Sequence, residues 1–481
     1  MKAAIVLFVK NEVTDISDWI SWHLSIGFDK IFIYDDHSDD GTFEICSILS
    51  DFYNIELKKT NIESETNFFI RQKLSYFDAC KNSSNKYDWI CFLDSDEYLY
   101  LDEDDSIKSF LSSYEDCNAI ALNWCIYGSS NKTIKDHIPI YKSFVFHSSR
   151  ELNDNRLVKS IIRPCFYTFN YTDPHRFYLE NEEYRDSLGE KFEWDGSTKN
   201  IEWKRARINH YICRSMEHYI NRIKRRIGSD LVNSNVYWNH FDRNDIEFHI
   251  DERKIHKANE ILEKIKNILV DNFIFNKKLL NMKYKNNFSI EGSTSKQYVI
   301  KTKNNTYLKL DGPDGFVSQT LDISSENNPI YGIIYENDDE YIYIYSANDI
   351  GISNIKFHIR DINNHKYCYK LKLEYLDDNS ICIINPKTNK YLCAVPQELD
   401  GSVSCNRDSH SVWEEFFLIE TSSQIKTECL PSNIFDFYSF INEIVNKNFN
   451  YNDFMILSQN IENSEKEKLI KDSNNTLSCI L

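Results

Sequence analysis

The first 130 residues alternate between short apolar runs and segments of helical period. The run AAIVLFV at 3–9 predicts a buried strand, and KIFIY at 30–34, DWICFL at 88–93 and the stretch 119–124 predict three more. Between them, 15–26 places Ile16, Trp19, Ile20 and Leu24 on one helical face and stops at Gly27. A second helix is predicted over 42–51, and a third over 67–80 with Ile70, Leu74 and Phe77 on its apolar face. Wholly apolar strands alternating with helices predict an α/β unit built on a parallel sheet covered on both faces. From about 135 to 250 the pattern loosens. It keeps a short strand over 158–163, a helix over 215–227 with Met216, Ile220, Ile223 and Ile227 in line, and a further helix over 252–270 with Ala258, Ile261, Leu262, Ile265 and Leu269 on one face.

The texture changes after the Asn/Lys-rich stretch 283–295, which reads as a linker. Short aromatic strands and tight turns follow. VIKTKNNTYLKLD at 299–311 and CIINPKTNKYLCAV at 382–395 both set a Lys-Thr turn before a Tyr-Leu pair, with Tyr307 and Tyr391 84 positions apart, twice 42. Three such units, the middle one degenerate near Ile350, predict an all-β trefoil similar to the fascin-like and ricin-like domains. The expected division is therefore 1–245 for the α/β unit, 246–295 for a helical extension and linker, 296–421 for the trefoil, and 422–481 for a partly helical, polar tail that frays at its end.

Charge narrows the partners. The net charge of −18 makes a polyphosphate backbone an unsuitable general partner, so nucleic acid is excluded, while one phosphate-bearing small ligand in a local basic pocket is not. The 13 cysteines form no CxxC pair and read as reduced thiols of a cytoplasmic protein. The opening apolar run is too short for a signal-peptide core, and no run is long enough to cross a membrane.

Candidate chemistry sits at the carboxyl ends of the predicted strands, where α/β sheets collect ligands. Lys10-Asn11-Glu12 follows the first strand, DDHSDDGT at 35–42 the second, and Asp94-Ser95-Asp96-Glu97 the strand over 88–93. DDHSDDGT fits a plain polar turn as well as a ribose or base contact by Asp35 or Asp36. Three carboxylates within four positions repel one another, and their hard oxygens suit Mg²⁺ or Mn²⁺, which would cancel the repulsion and bridge a diphosphate. The basic run at 222–226 fits either compensation of a helix dipole or a contact to such a diphosphate.

The ordered set VKNE, WISWHLSIGFDKIFIYDDHSDDGT, RQKLSYFDAC, DWICFLDSDEYL, LNWCIYGSS, LVKSIIRP and INHYICRSMEHYINRIKRRIG resembles GT-A glycosyltransferases of the family 2 and family 92 group over residues 3–228. The resemblance implies a metal-dependent enzyme that moves a sugar from a nucleotide-sugar, with a UDP-sugar favoured, to a glycan or other hydroxyl acceptor with inversion. It implies donor contacts from Val9, Asn11, Glu12, Asp35, Asp36, Ser38, Gln72, Asp94 and Ser95. It places metal ligation on Asp94, Asp96 and His210, and acceptor contacts on Trp124, Gly128, Ser129, Lys159, Arg163 and His175. Glu97 and Asp173 are the candidates for the base that takes the acceptor's proton. Cys213-Arg214 departs from the Thr-Lys type of pair in relatives, so the diphosphate contact expected there is open. Two other readings remain: a sugar nucleotidyltransferase, which would carry a Gly-rich basic loop that VKNEVTDISDW lacks, and a non-catalytic binding protein that uses the trefoil.

Overall fold

A computed structural model describes the chain apart from residues 136–137, 192–196, 227–233, 280–294, 312–315, 325–328, 337–338, 347–369, 386–388, 422–436, 447–450, 452–453, 455–457, 459–460 and 462. The expected linker, up to residue 294, and the degenerate middle repeat near Ile350 lie outside the described residues, while Ser295 opens a strand. The chain divides into two compact units, 1–269 with 472–481, and 270–471. The boundary falls inside a helix, Glu252–Leu279, rather than at the expected 245–246.

The first unit is built on a mixed sheet. Its strands are β1 (Ala3–Val9), β2 (Lys30–Asp35), β3 (Ile55–Lys59), β4 (Trp89–Leu93), β5 (Glu97–Leu101), β6 (Ala119–Ile126), β7 (Val158–Ile162), β8 (Tyr184–Arg185) and β9 (Ala206–His210). The hydrogen-bonded order is β3-β2-β1-β4-β7-β6-β9-β5, with β8 on β6. Strands β3, β2, β1 and β4 are parallel, whereas β7 runs antiparallel to both β4 and β6, and β5 antiparallel to β9. All seven residues of β1 are buried, so both of its faces are covered. A fully buried aliphatic side chain contributes about 1.5–3 kcal/mol, which makes this strand the spine of the unit.

Two helices turn differently from expectation. The Phe68–Ser83 helix, capped by Asn67 Oδ1 on the amides of Phe69 and Ile70, buries Arg71, Gln72 and Ser75 and leaves Ile70 and Leu74 exposed. In the Met216–Arg226 helix Tyr219 is buried and Ile220 exposed. Both rotations answer to ion pairs made on the sheet side, described below. The Glu252–Leu279 helix behaves as its periodicity predicts, with Ala258, Leu262, Ile265 and Leu269 buried.

The end of the chain does not fray. Residues 472–481 belong to the first unit, with Leu477 and Ile480 buried and Ser17 Oγ donating to Cys479 Sγ at 3.7 Å. Apolar side chains spaced through this polar segment bury themselves against the unit.

Among the described residues the second unit carries ten antiparallel strands: β10 (Ser295–Thr302), β11 (Tyr307–Asp311), β12 (Phe316–Thr320), β13 (Ile330–Tyr335), β14 (Tyr341–Ser346), β15 (Lys370–Tyr375), β16 (Ile381–Asn385), β17 (Lys390–Ala394), β18 (Val403–Arg407) and β19 (Glu415–Glu420). Six of them pair in a closed ring, β10-β13-β14-β15-β16-β19 and back to β10. Ile300, Ile330, Ile342, Leu371, Ile383 and Phe416 fill its interior. The repeated turns carry Asn305 and Asn389 at φ 61° and 54°, 84 residues apart, a left-handed conformation that asparagine tolerates.

Candidate functional site

The strand ends β1, β2 and β4 meet the start of β7 and the end of β9 at one edge of the sheet. β4 delivers Asp94, and the turn Asp94–Glu97 passes into β5, which lies against β9 so that Glu97 pairs with His210. The Trp19 indole fixes this turn by donating to the Asp94 and Glu97 carbonyls at 3.1 and 2.9 Å.

Protein cations answer the charge of the turn. Lys159 Nζ lies 2.6 Å from Asp94 Oδ2 and 3.1 Å from Glu97 Oε2. Burial pulls the Lys159 ammonium down, but the two carboxylates more than reverse this and leave it raised. Arg222 Nη1 donates to Asp96 Oδ2 at 3.0 Å, and His210 Nε2 stands 3.5 Å from the same oxygen. Burial pushes the Asp96 carboxyl up, while His210, Arg222 and Arg214 outweigh it and hold it well below the usual range. Glu97 is fully buried, and its Oε2 accepts the Asp94 amide at 2.8 Å. Burial raises its carboxyl to about 7 against the pull of Lys159. Mutual repulsion in this turn is therefore met without an added ion.

Of the three expected metal ligands, Asp96 Oδ2 and His210 Nε2 have the separation of two ligands on one small cation, while Asp94, one-third exposed, pairs with Lys159 and does not gather with both of them within 4.8 Å. His210 Nδ1 and Glu97 Oε1 are buried without hydrogen-bond partners. Among the described residues, the carboxylate and imidazole atoms that gather within 4.8 Å of one another are those of Glu12, Asp15 and His218, and this group is already bridged by Arg214.

The two aspartates after β2 divide their work. Asp36 is saturated: Arg71 clasps it through two bonds of 2.6 and 2.7 Å, and Thr60 Oγ1 adds a third at 2.7 Å. Asp35, also buried, accepts the Ser38 amide on Oδ2 and leaves Oδ1 without a partner. Ser38 Oγ accepts the Asn11 amide at 2.9 Å, and the Val9 carbonyl accepts the Asp36 amide, so Val9, Asn11 and Ser38 tie the two loops together. Asp40 is structural, accepting from the Val13 amide and from Thr42. Gln72 reaches Asp94 Oδ1 at 3.4 Å.

Arg214, in the left-handed region at φ 53°, is the largest addition to the expected set. It is buried, bonded to Glu12 at 2.6 Å, to Asp15, and to the Ser95 carbonyl at 3.1 Å; Lys135 also pairs with Asp15. Asp15, Lys135 and Arg71 went unread because each signal is a single charged residue inside an ordinary helix or loop. The one available cue was Arg71 beside Gln72 in the quoted RQKL motif.

On the other side, Trp124 packs its ring 4.3 Å from that of His210 and 5.2 Å from that of His175. His175 Nδ1 bonds the Val158 carbonyl at 2.8 Å, and its amide donates to Asp173, which is exposed on the rim. Gly128 and Ser129 pack on the 242–244 loop; a Cβ at Gly128 would stand 2.5 Å from the Arg243 carbonyl. Arg163 does not join the site. Because β7 runs antiparallel, its start carries Lys159 to the acidic turn while Arg163 leaves from the opposite end. There it stacks on Trp89 and bonds the Cys117 and Tyr114 carbonyls.

A parallel-rich α/β sheet with acids and cations collected at its strand ends defines a small-molecule site of the kind such sheets build. The chain belongs to glycosyltransferase family 92, whose model matches residues 3–265. It is similar to the family 92 protein At1g27200 of Arabidopsis thaliana, 26% identical over 235 residues, 46% of this chain and 37% of the relative. The family 92 protein RCOM_0530710 of Ricinus communis is 24% identical over 233 residues, again 46% and 37%. The chain thus spans little more than a third of these relatives. Solved structures of S. aureus TarS 1-349 are also similar: the complex with UDP at 15% identity, TM-score 0.24, 34% of this chain and 48% of that one, and a further crystal structure of the same fragment at 13%, TM-score 0.27, 59% and 76%.

Proposed function

We propose that this chain is a glycosyltransferase of GT-A type that moves a sugar from a nucleotide-sugar, a UDP-sugar first among them, to a hydroxyl of a glycan or similar acceptor. One observation carries the reading. At a single sheet edge, a buried and unpartnered carboxylate oxygen on Asp35 stands near an acidic turn already attended by Lys159, Arg214 and Arg222. Asp35 Oδ1 suits a ribose hydroxyl or base N–H, and the turn with its cations suits a diphosphate. Family membership supports the same assignment.

In this reading the acceptor oxygen forms its bond to the anomeric carbon as the bond to the diphosphate breaks, with inversion. The acceptor proton passes to Asp173. We favour Asp173 over Glu97 because Asp173 is exposed beside His175, whereas Glu97 is sealed and occupied by the Asp94 amide and Lys159. Asp94, Asp96 and His210 would hold Mn²⁺ or Mg²⁺, which when bound adds positive charge against the leaving diphosphate. Lys159 and Arg222 supply fixed charge at the same place. We read the closed six-stranded ring of the second unit as a β-trefoil; the matched Asn305 and Asn389 turns support that reading. A cytoplasmic location is part of the proposal, in keeping with buried thiols such as Cys46, Cys80 and Cys91, which burial makes hard to ionise.

The test is a panel of nucleotide-sugars, with and without Mn²⁺, followed by calorimetric binding and by release of nucleotide diphosphate. A UDP-sugar should bind and turn over. Asp173→Asn should keep donor affinity and lose about 10²–10⁴ in transfer rate. Absence of binding by every nucleotide-sugar would remove the proposal.

A further inference from the structure

Asp94 and Asp96 are held in two separate ion pairs, and their cations are not held alike. Lys159 is almost wholly buried and spans two carboxylates, Asp94 at 2.6 Å and Glu97 at 3.1 Å, so it keeps one partner if the other is taken away. Arg222 comes from the Met216–Arg226 helix, and its side chain is 23% exposed. Its Nη1 makes two bonds, one to Asp96 Oδ2 at 3.0 Å and one to the Ile212 carbonyl at 2.8 Å. The carbonyl bond tethers the guanidinium to the backbone. The carboxylate bond is one that a competing cation can take.

The contest is over a single oxygen. Asp96 Oδ2 accepts from Arg222 and faces His210 Nε2 at 3.5 Å, so an ion shared by that oxygen and that imidazole would stand beside the guanidinium. A dication and a guanidinium on one oxygen repel strongly where little water screens them. Lys159 and Arg214, which donates to the Ser95 carbonyl at 3.1 Å, add positive charge around the same turn and deepen the repulsion. A diphosphate reverses the balance, because its oxygens accept from a guanidinium and ligate a dication at once.

Resting on the glycosyltransferase reading, we propose that Arg222 makes metal binding conditional on the donor. With no nucleotide present, Arg222 holds Asp96 Oδ2 against a lone Mn²⁺ or Mg²⁺. When a nucleoside diphosphate arrives, Arg222 stays on the Ile212 carbonyl and passes its Asp96 bond to a phosphate oxygen, which frees Asp96 and His210 for the ion. Asp96 thus exchanges one positive partner for another only once the diphosphate is there.

The test measures free Mn²⁺ by electron paramagnetic resonance in solutions of the full chain, with and without UDP, and needs no turnover. Wild type should take up Mn²⁺ alone weakly and, with UDP, well beyond what UDP chelates in solution. Arg222→Gln, after its melting temperature is checked, should bind Mn²⁺ alone at least about tenfold more tightly. It should lose the same factor from the gain that UDP confers, because coupling between two ligands is reciprocal. Arg222→Lys keeps the charge and should behave as wild type. Adding Asp96→Asn to Arg222→Gln should abolish the tighter binding, which separates an ion at Asp96 from one at the Glu12, Asp15 and His218 group. Mn²⁺ bound by wild type as tightly without UDP as with it overturns the proposal, with no variant needed. So does a UDP gain that survives Arg222→Gln unchanged, and either result leaves the glycosyltransferase reading standing. Failure of wild type to bind any nucleoside diphosphate removes that reading, and this proposal with it.

Discussion

Asp96 shows how one side chain serves two demands. It is the candidate metal ligand, and it is also the buried partner of Arg222 and His210. Truncation to alanine would leave the half-buried Arg222 and the buried His210 without their carboxylate, so lost activity in that variant would be ambiguous. Asp96→Asn keeps the shape and an acceptor oxygen. It should fold with a modestly lowered melting temperature, lose Mn²⁺-dependent donor affinity and lose at least about 10²-fold in transfer. Calorimetry of a UDP-sugar with and without Mn²⁺ reads this directly, and unchanged metal dependence would take Asp96 out of the site. The acidic turn itself was legible in the sequence, since three carboxylates after a buried strand are conspicuous. What answers them was not. Lys159, Arg214 and Arg222 lie 62 or more positions away, and an ion pair across such a separation leaves no local pattern.

Elements were legible where burial alone decides them. β1, β2, β4 and β6 follow from apolar runs, and the Glu252–Leu279 helix from its period. Direction was not, because a buried strand reads the same whichever way it runs. The resemblance placed Arg163 at the substrate edge with Lys159, and the run of β7 carries it instead to the far end of that strand. Helix faces failed where function overrides apolarity: Arg71 and Gln72 turn inward to Asp36 and Asp94 at the expense of Ile70 and Leu74. The Ile16–Ser25 helix shows the reverse case, a polar residue used as packing. His23 is buried between the Trp19 carbonyl, 2.8 Å from Nδ1, and the Leu99 amide, which donates to Nε2. This fixes a neutral imidazole. Burial lowers its pKa to about 3, with the Trp19 carbonyl pulling weakly the other way. The unfolded chain takes up a proton near 6.5 and the folded one does not, so this group's contribution is complete above 6.5 and is lost as pH falls toward 3. The slope is about 1.4 kcal/mol per pH unit. Urea melts of wild type and His23→Gln across pH 4–8 should converge toward acid by that slope. A constant difference between them would contradict the neutral buried histidine.

For the whole molecule, the segment 472–481 matters more to the site than its composition implies. The segment 472–481 returns to the first unit and sets Asn474 and Asn475 against Gly41, at the turn that holds Asp35, Ser38 and Asp40 in place. Gly41 sits at φ 109°, and a Cβ there would meet the Asn474 carbonyl at 2.8 Å, so this contact admits no side chain. Nothing in a polar stretch with two buried aliphatics announces such a role, because its value lies in what it covers. Removing 472–481 uncovers the loop and exposes the surface under Leu477 and Ile480, each worth about 1.5–3 kcal/mol when buried. The first unit should then melt several degrees lower, at roughly 2–4 °C per kcal/mol for a unit of this size. Donor affinity should fall with it, since Asp35 and Ser38 depend on the same loop, while a melting transition from the second unit should not move. Leu477→Ala should reproduce part of the loss. If the truncated chain melted and bound nucleotide-sugar as the full chain does, the terminal segment would be mere cover, and the donor loop would owe its shape to Asn11, Asp40 and Thr42 alone.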